Sequence, residues 1–384
     1  MKIDINKKQF TFNLAVVLML IYDIIIKQSN FKVNYNVSLL GNILWALVIG
    51  LLLVKIIVTK YKIKELFFMS LVFVVCIISW RVSGEVSMLK FMFFTLAAKD
   101  INIEKTIKCF LITSVIFCTV VMVSCFIGII PNSVFGVRFG RARYSIGFVS
   151  PSAFGYYAFN LSFILFLHYK KKINIRFIIV NIAALIVLWY VVNCKTAVIA
   201  IILLWALAIL AKYKEKLFYN KFLMVTPALF GAVSLYFTLK YNSNNNLHMF
   251  LDNIMSLRIS LQNKYYNIVG IHLWGHNVNL ESLNRVFLDN SYMSLLLRFG
   301  VIIFIIVLLI YTLALKSAID DKNVKIIVGI IVELFYAMSE MTLYSYALNI
   351  ILFIVIDLVW NFKRNGRNKL YNESRKKQGS KPKL

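Results

Sequence analysis

Charge is scarce in this sequence, and what there is has one dominant sign. Only 15% of the 384 residues are charged against 60% hydrophobic, and the formal net charge is +27. A soluble domain is nearer half apolar and a quarter charged, so no stretch is left over for a separate soluble domain. Proline is down to four residues, of which only Pro227 falls clearly inside an apolar run. The hydrophobic stretches therefore carry few obligatory breaks. The five cysteines, Cys76, Cys109, Cys118, Cys125 and Cys194, form no CxxC pair, and four lie in apolar stretches. They read as small packing residues that require neither disulfide nor metal. HEXXH, GxSxG, a Walker loop and a dinucleotide fingerprint are all absent, which leaves ATP-driven pumping and zinc-peptidase chemistry without support.

What is present is apolar length. Twelve runs stand out, at about 10–26, 37–58, 66–80, 86–98, 107–130, 152–169, 175–193, 196–211, 222–240, 291–315, 324–344 and 346–362. A spanning helix needs about 20 such residues. The sequence predicts an all-α, polytopic membrane protein of about twelve spans. It predicts one integral domain over 1–362 and a basic tail over 363–384. The run from Phe10 lacks a small-residue cleavage site and precedes many further spans, so it reads as a first span rather than a signal peptide. With the N-terminus inside and the sides alternating, the inner segments carry 30 of the 43 lysines and arginines. That is the inside excess expected of membrane proteins, and it puts both termini in the cytoplasm. Clusters such as Lys170-Lys171-Lys172 then sit against anionic headgroups, and nucleic acid is not an expected partner.

A second asymmetry runs the other way. Seven of the eleven arginines fall outside: Arg81, Arg138, Arg141, Arg143, Arg258, Arg285 and Arg298. Arginine offers a rigid fork that grips phosphate or carboxylate bidentately and stays charged in a dry site. The outer face thus reads as built to hold an anion, with headgroup contact as the plainer alternative. Two outer loops, about 131–151 and 241–290, are longer than connection requires. In the second, Phe250, Ile254, Leu257 and Leu261 recur at helical spacing. This predicts an amphipathic helix on the membrane surface or over a cavity.

Two constellations lie at the loops. Gly136-Val-Arg138-Phe-Gly140-Arg141-Ala-Arg143 puts three arginines within six residues. It leads to Ser150 as a helix cap and Pro151 at the first helical position, and a helix N-terminus facing outward favours phosphate. The second is Arg285-Val-Phe-Leu-Asp289-Asn290-Ser291-Tyr292 with Arg298-Phe-Gly300. Asp289, Asn290 or Ser291 is the expected cap. Arg298 falls about 12 Å down the following helix, a depth that calls for a cavity or a partner. Glu333 and Glu340, two turns apart on the eleventh run, place Glu340 within reach of Arg298 or another outer arginine. His248, His272 and His276 share the large loop without metal-site spacing. Asp23 and Asp357 read as interhelical contacts.

At these two loops the sequence resembles the O-antigen polymerase and ligase superfamily, the Wzy-type membrane proteins of bacterial polysaccharide export. The resemblance rests on the span count, the late outer loop, Arg143-Tyr-Ser-Ile-Gly147-Phe-Val-Ser150-Pro151 with Gly155, and Asp289-Asn290-Ser291-Tyr292 before Arg298-Phe-Gly300. Ser150 and Ser152 depart from the residues that usually flank the proline. Arg143 to Gly155 and Arg258 to Gly270 each enclose eleven residues rather than the ten of the family's Arg-Gly elements. Asp289-Asn290 stands where ligases carry His-Asn, which favours polymerase. The resemblance implies a GT-C-like architecture in the bacterial cytoplasmic membrane. It implies polymerisation of undecaprenyl-pyrophosphate-linked repeat units of a capsule or O-antigen at the outer face, with no cofactor or metal. Partners would be membrane lipids, a flippase and a chain-length regulator. Arg143 and Arg258 would stabilise the departing pyrophosphate and Asp289 would accept the hydroxyl proton. Arg138, Arg141, Arg285, Asn290, Tyr292, Arg298 and Glu340 would bind substrate. Tyr144, Tyr156, Tyr265, Tyr266 and Trp274 are candidates to stack on sugars. A ligase, or a flippase of lipid-linked oligosaccharide, is the alternative; the flippase would show broken helices.

Overall fold

A computed structural model describes residues 5–138, 140–168, 175–277 and 288–361. The basic tail, the Lys170–Lys172 cluster and Arg285 lie outside the described residues, as does the Arg138 side chain. In a bilayer every backbone polar group must be satisfied within the protein, and a helix does this segment by segment. The apolar runs fold accordingly. Among the described residues, seven helices are long and apolar enough to cross a membrane: Asn6–Lys27, Ser38–Val58, Ile63–Ser83, Ile103–Phe126, Lys195–Tyr213, Lys221–Lys240 and Val301–Asp320. Shorter apolar helices run over Ser87–Ala97, Pro151–Leu167, Ile178–Val191 and Ile350–Asn361. The chain is an all-α, multi-pass membrane protein, with one two-stranded sheet among the described residues.

Burial separates the rim from the centre. Ser38–Val58 leaves Leu39, Leu47 and Ile57 exposed, and Ile63–Ser83 leaves Phe67 and Phe68 exposed, as lipid-facing helices do. At the centre, Ile350, Ile351, Leu352 and Phe353 are buried in succession. A helix apolar on every side belongs in a core. Gln9 and Asn102 exchange hydrogen bonds, Lys99 pairs with Glu65, and Trp360 reaches the Thr95 carbonyl. Those contacts gather segments assigned to the inner side at one end. At the other end Asn30 and Gln28 bond the backbone at Gly147 and Val149, and Arg298 meets Glu85.

Three sequence expectations are corrected. The Arg138 loop is a β-hairpin, Val134–Arg138 paired antiparallel with Arg141–Tyr144, with Arg138 opposite Arg141. The Gly140 turn residue at φ 69° permits the tight reversal. The run at 291–315 is not one helix: a short helix over Ser291–Ser294 and a π-helical turn over Leu295–Phe299 end at Gly300, and Val301–Asp320 follows. The cause is a strand-like approach of residues 272–276. The His276 N–H donates to the Arg298 carbonyl at 3.2 Å and the Val301 N–H to that of His272 at 3.1 Å. Gly275 and Gly300 both have positive φ, and a Cβ on Gly300 would stand 2.3 Å from the Gly275 nitrogen. Only glycine fits that contact.

The third correction concerns Glu340. The helix Val324–Tyr336 ends before it, so Glu340 shares no helical face with Glu333. Residues 337–349 form irregular buried backbone, which is tolerated at membrane depth only where protein satisfies it. Tyr311 donates to the Leu343 carbonyl at 3.0 Å, and Asn160 donates to that of Leu348 at 2.9 Å. The Asn160 amide oxygen accepts from Ile350 at 3.0 Å. Few prolines did not mean unbroken helices; glycine and buried amides make the breaks instead.

Candidate anion-binding site

The irregular segment carries a buried carboxylate that four side chains converge on. Glu340 is 1% exposed and accepts four hydrogen bonds. Arg258 Nη2, Tyr156 Oη and Thr196 Oγ1 each donate at 2.8 Å, and Ser152 Oγ at 3.3 Å. Ser152 and Tyr156 are one turn apart at the start of Pro151–His168, where the Ala153 N–H donates to the expected Ser150 cap at 3.3 Å. Thr196 opens Lys195–Tyr213. Three parts of the chain far apart in sequence thus meet at one buried acid.

Arg258 is the first residue of the helix Arg258–Val269. That helix starts there because Asp252, buried six residues earlier, accepts from the N–H groups of Ile259 at 2.9 Å and Ser260 at 3.0 Å. Ser256 and Leu257, both at positive φ, make the reversal between the two. Arg258 spans two carboxylates, with Nη2 on Glu340 and Nε on Asp289 Oδ2 at 3.2 Å. Burial opposes its charge, but Glu340 and Asp289 overturn that and hold its pKa above the ordinary value.

Asp289 was a candidate cap, and the structure gives that task to Asn290. The Asn290 side chain accepts from the Tyr292 N–H at 2.8 Å and the Met293 N–H at 3.1 Å. Among the described residues Asp289 meets Arg258 alone, and its side chain is 39% exposed. The nearby Arg285 lies outside the described residues, and the cation that meets Asp289 is Arg258.

Arg143, on the second strand of the hairpin, completes the group. It is half-buried, and burial lowers its pKa, the like charge of Arg258 adding to that against the pull of Cys194 and Glu340. Among the described residues it has no ion pair, and its buried Nε has no hydrogen-bond partner. Arg258 Nη1 is likewise buried and unpartnered, as is the Tyr336 hydroxyl. Leaving a buried donor unmade costs roughly 1–3 kcal/mol, and more when it is charged. Two guanidinium groups with open donors, beside a carboxylate open to solvent, make a site suited to an anion with a hydroxyl next to it.

The other candidates lie elsewhere. Arg298 does not reach Glu340; it pairs with Glu85 at 3.2 Å and lies 5.7 Å over the Tyr265 ring. The break at Gly300 turns it away from the long helix on which it was expected. Arg141 is exposed and stacks on Tyr190 at 4.9 Å. Asn290 and Tyr292 are scaffold rather than substrate contacts. Asn290 is consumed by capping and by Ser234, while Tyr292 is fully buried and bonded to the Leu334 carbonyl. Tyr156 spends its hydroxyl on Glu340, and Tyr265 is buried under Arg298. Thr196 and Tyr336 were missed. A polar residue opening an apolar run beside Lys195 was the available signal for Thr196; Tyr336 has none in the sequence.

Ser291 holds the two carboxylate segments together. Its hydroxyl donates to the Glu340 carbonyl at 2.6 Å and accepts from the Thr342 N–H at 2.8 Å. Ser291→Ala strands those buried groups and is expected to cost about 1–3 kcal/mol. The effect is read as an earlier unfolding midpoint of the detergent-purified protein. An unchanged midpoint would remove Ser291 as the clamp.

Comparison with family models, with curated proteins and with solved structures returned no match.

Proposed function

We propose that this chain is a bacterial polysaccharide polymerase of the O-antigen polymerase and ligase type, acting on lipid-linked repeat units at the outer face of the cytoplasmic membrane. The observation that carries the reading is the pair of unpartnered donors, Arg143 Nε and Arg258 Nη1, in one cluster with the half-open Asp289. The sequence resemblance and the excess of arginine on one side support it. In the proposed reaction a sugar hydroxyl of one repeat unit attacks the anomeric carbon of another. The bond from that carbon to the pyrophosphate oxygen breaks, and the electron pair leaves with the carrier. Arg143 and Arg258 offset the charge that grows on the phosphate oxygens. Asp289 takes the hydroxyl proton, while Glu340, already accepting four bonds, holds Arg258 in place.

In this reading the chain makes about twelve passes in a GT-C-like arrangement, with both termini cytoplasmic and both long loops outside. Cysteines introduced at Ser243 and Ser380 test the orientation. An impermeant thiol reagent should label position 243 in intact cells and position 380 only after permeabilisation. Labelling at 380 in intact cells would overturn the site's placement as well.

The breaks at Gly300 and at 337–349 favour a second reading, transport of lipid-linked oligosaccharide, since broken helices line the sites of many transporters. Deletion of the gene separates the two. A polymerase mutant keeps single repeat units on the surface and loses long chains. A flippase mutant loses both. A ligase mutant keeps long chains on the lipid carrier.

A further inference from the structure

The helix Asn246–Ile254 turns its apolar side away from the protein. Leu247 is 59% exposed, Phe250 61%, Ile254 41% and the following Leu257 55%. Its buried side is polar and centres on Asp252. Water is an unfavourable neighbour for a continuous apolar stripe, and such stripes on surface helices mark binding surfaces.

The helix is also held at a definite depth. It follows the membrane helix Lys221–Lys240 after five residues. His248 meets Phe237, in the last turn of that helix, with ring centroids 6.1 Å apart, and stacks on Tyr241 at 6.3 Å. The Asn242 N–H donates to His248 Nδ1 at 3.1 Å. Leu229, Tyr236 and Leu239 of the membrane helix are exposed as lipid-facing residues are, so the apolar stripe begins where a lipid-facing surface ends. An amphipathic helix at the end of a span suits the headgroup boundary.

We propose that Asn246–Ile254 lies in the interfacial layer of the bilayer, with Leu247, Phe250 and Ile254 among the phospholipids, and that Asp252 transmits its position to Arg258. The link is direct. The Asp252 carboxylate accepts two of the N–H groups in the first turn of the Arg258 helix, and Tyr241, at the end of the membrane helix, donates to its other oxygen at 3.2 Å. Asp252 is a positioning residue: it sets where Arg258 stands without touching what Arg258 would hold. The partner is a lipid surface rather than a second copy of this chain, because the stripe continues the lipid-facing surface. The coupling to Arg258 rests on the anion reading above; the membrane seating does not.

Both parts are tested on the full chain in phosphatidylethanolamine–phosphatidylglycerol nanodiscs. A fluorescent amino acid is placed at Phe250 or at Asn253, an exposed polar residue on the flank of the apolar stripe. Nitroxide-labelled phospholipid should quench position 250 at least threefold more than 253, and aqueous iodide should show the reverse order. Iodide quenching at 250, or shielding at 250 only in discs holding two copies, would overturn the lipid seating. Inorganic pyrophosphate is then titrated. Phe250→Glu, which replaces an exposed side chain, should weaken its binding at least tenfold, and Asp252→Ala should do the same with the quenching at 250 retained. Unchanged pyrophosphate affinity in both variants would overturn the coupling. If the unaltered protein binds no pyrophosphate, the anion reading falls instead, and the quenching pattern still decides the seating.

Discussion

Arg143→Lys and Arg258→Lys should each reduce polymer formation by roughly 10² to 10³, the loss typical of removing one donor that stabilises a developing anion. Lysine keeps the charge and loses the planar fork. At Arg258 the fork already divides its nitrogens between Asp289 and Glu340, with Nη1 left over. A lysine ammonium is a single point at the end of a flexible stem and cannot hold both carboxylates and still present a third donor in a fixed direction. At Arg143 the open donor is Nε, which lysine does not possess. Protein level should hold better at 143 than at 258, since Arg143 has no ion pair to lose among the described residues. At 258, Glu340 keeps the hydroxyls of Tyr156, Thr196 and Ser152, so the buried acid is not stranded. The measurement is surface-glycan length on gels, normalised to membrane abundance by quantitative blotting. Long chains of ordinary length from both lysine variants would show that charge alone suffices, and the anion-grip reading would lose its support.

Arg143 and Arg258 were legible in the sequence because choosing arginine where lysine would serve topology leaves a compositional trace. The helices were legible because a bilayer imposes long apolar runs. What sequence spacing could not supply was which carboxylate meets which arginine. Arg258 and Glu340 are 82 residues apart and meet through packing of the Pro151–His168 and Lys195–Tyr213 helices. Glu340 does meet an outer arginine, Arg258 rather than Arg298, but it does so from irregular backbone and not from a helix face, because the apolar run at 324–344 carries no mark of the break after Tyr336. That break depends on hydrogen bonds from Asn160, Ser291 and Tyr311, each in a different segment. Arg298 was misplaced for a similar reason. Its depth was reckoned along a continuous helix, and the Gly275–Gly300 contact that interrupts the helix is a pairing of two distant loops.

Asp289→Asn should abolish most activity, by about 10² to 10⁴ for the loss of one general base, while leaving the fold as it is. The substitution keeps the shape and an acceptor for Arg258 Nε, and Asn290 rather than Asp289 caps the helix that follows. A lost cap is therefore not an available explanation for a loss of rate. Glu340→Gln provides the contrast. It also keeps the shape, but the residue is 1% exposed and its amide nitrogen must face some of four donors. Breaking a buried ion pair from one side costs about 3–5 kcal/mol, so Glu340→Gln should lower both activity and stability. Its unfolding midpoint should fall well below that of the unaltered protein, whereas that of Asp289→Asn should not move. Repeat-unit polymerisation by purified protein in nanodiscs, with the unfolding midpoint followed in parallel, reads both. An Asp289→Asn protein that keeps a large part of the rate would remove Asp289 as the proton acceptor and leave the two arginines as the site. One that loses the rate and stability together would make Asp289 a counter-ion that holds Arg258, the role now assigned to Glu340. Only loss of rate with the midpoint unmoved assigns the proton to Asp289.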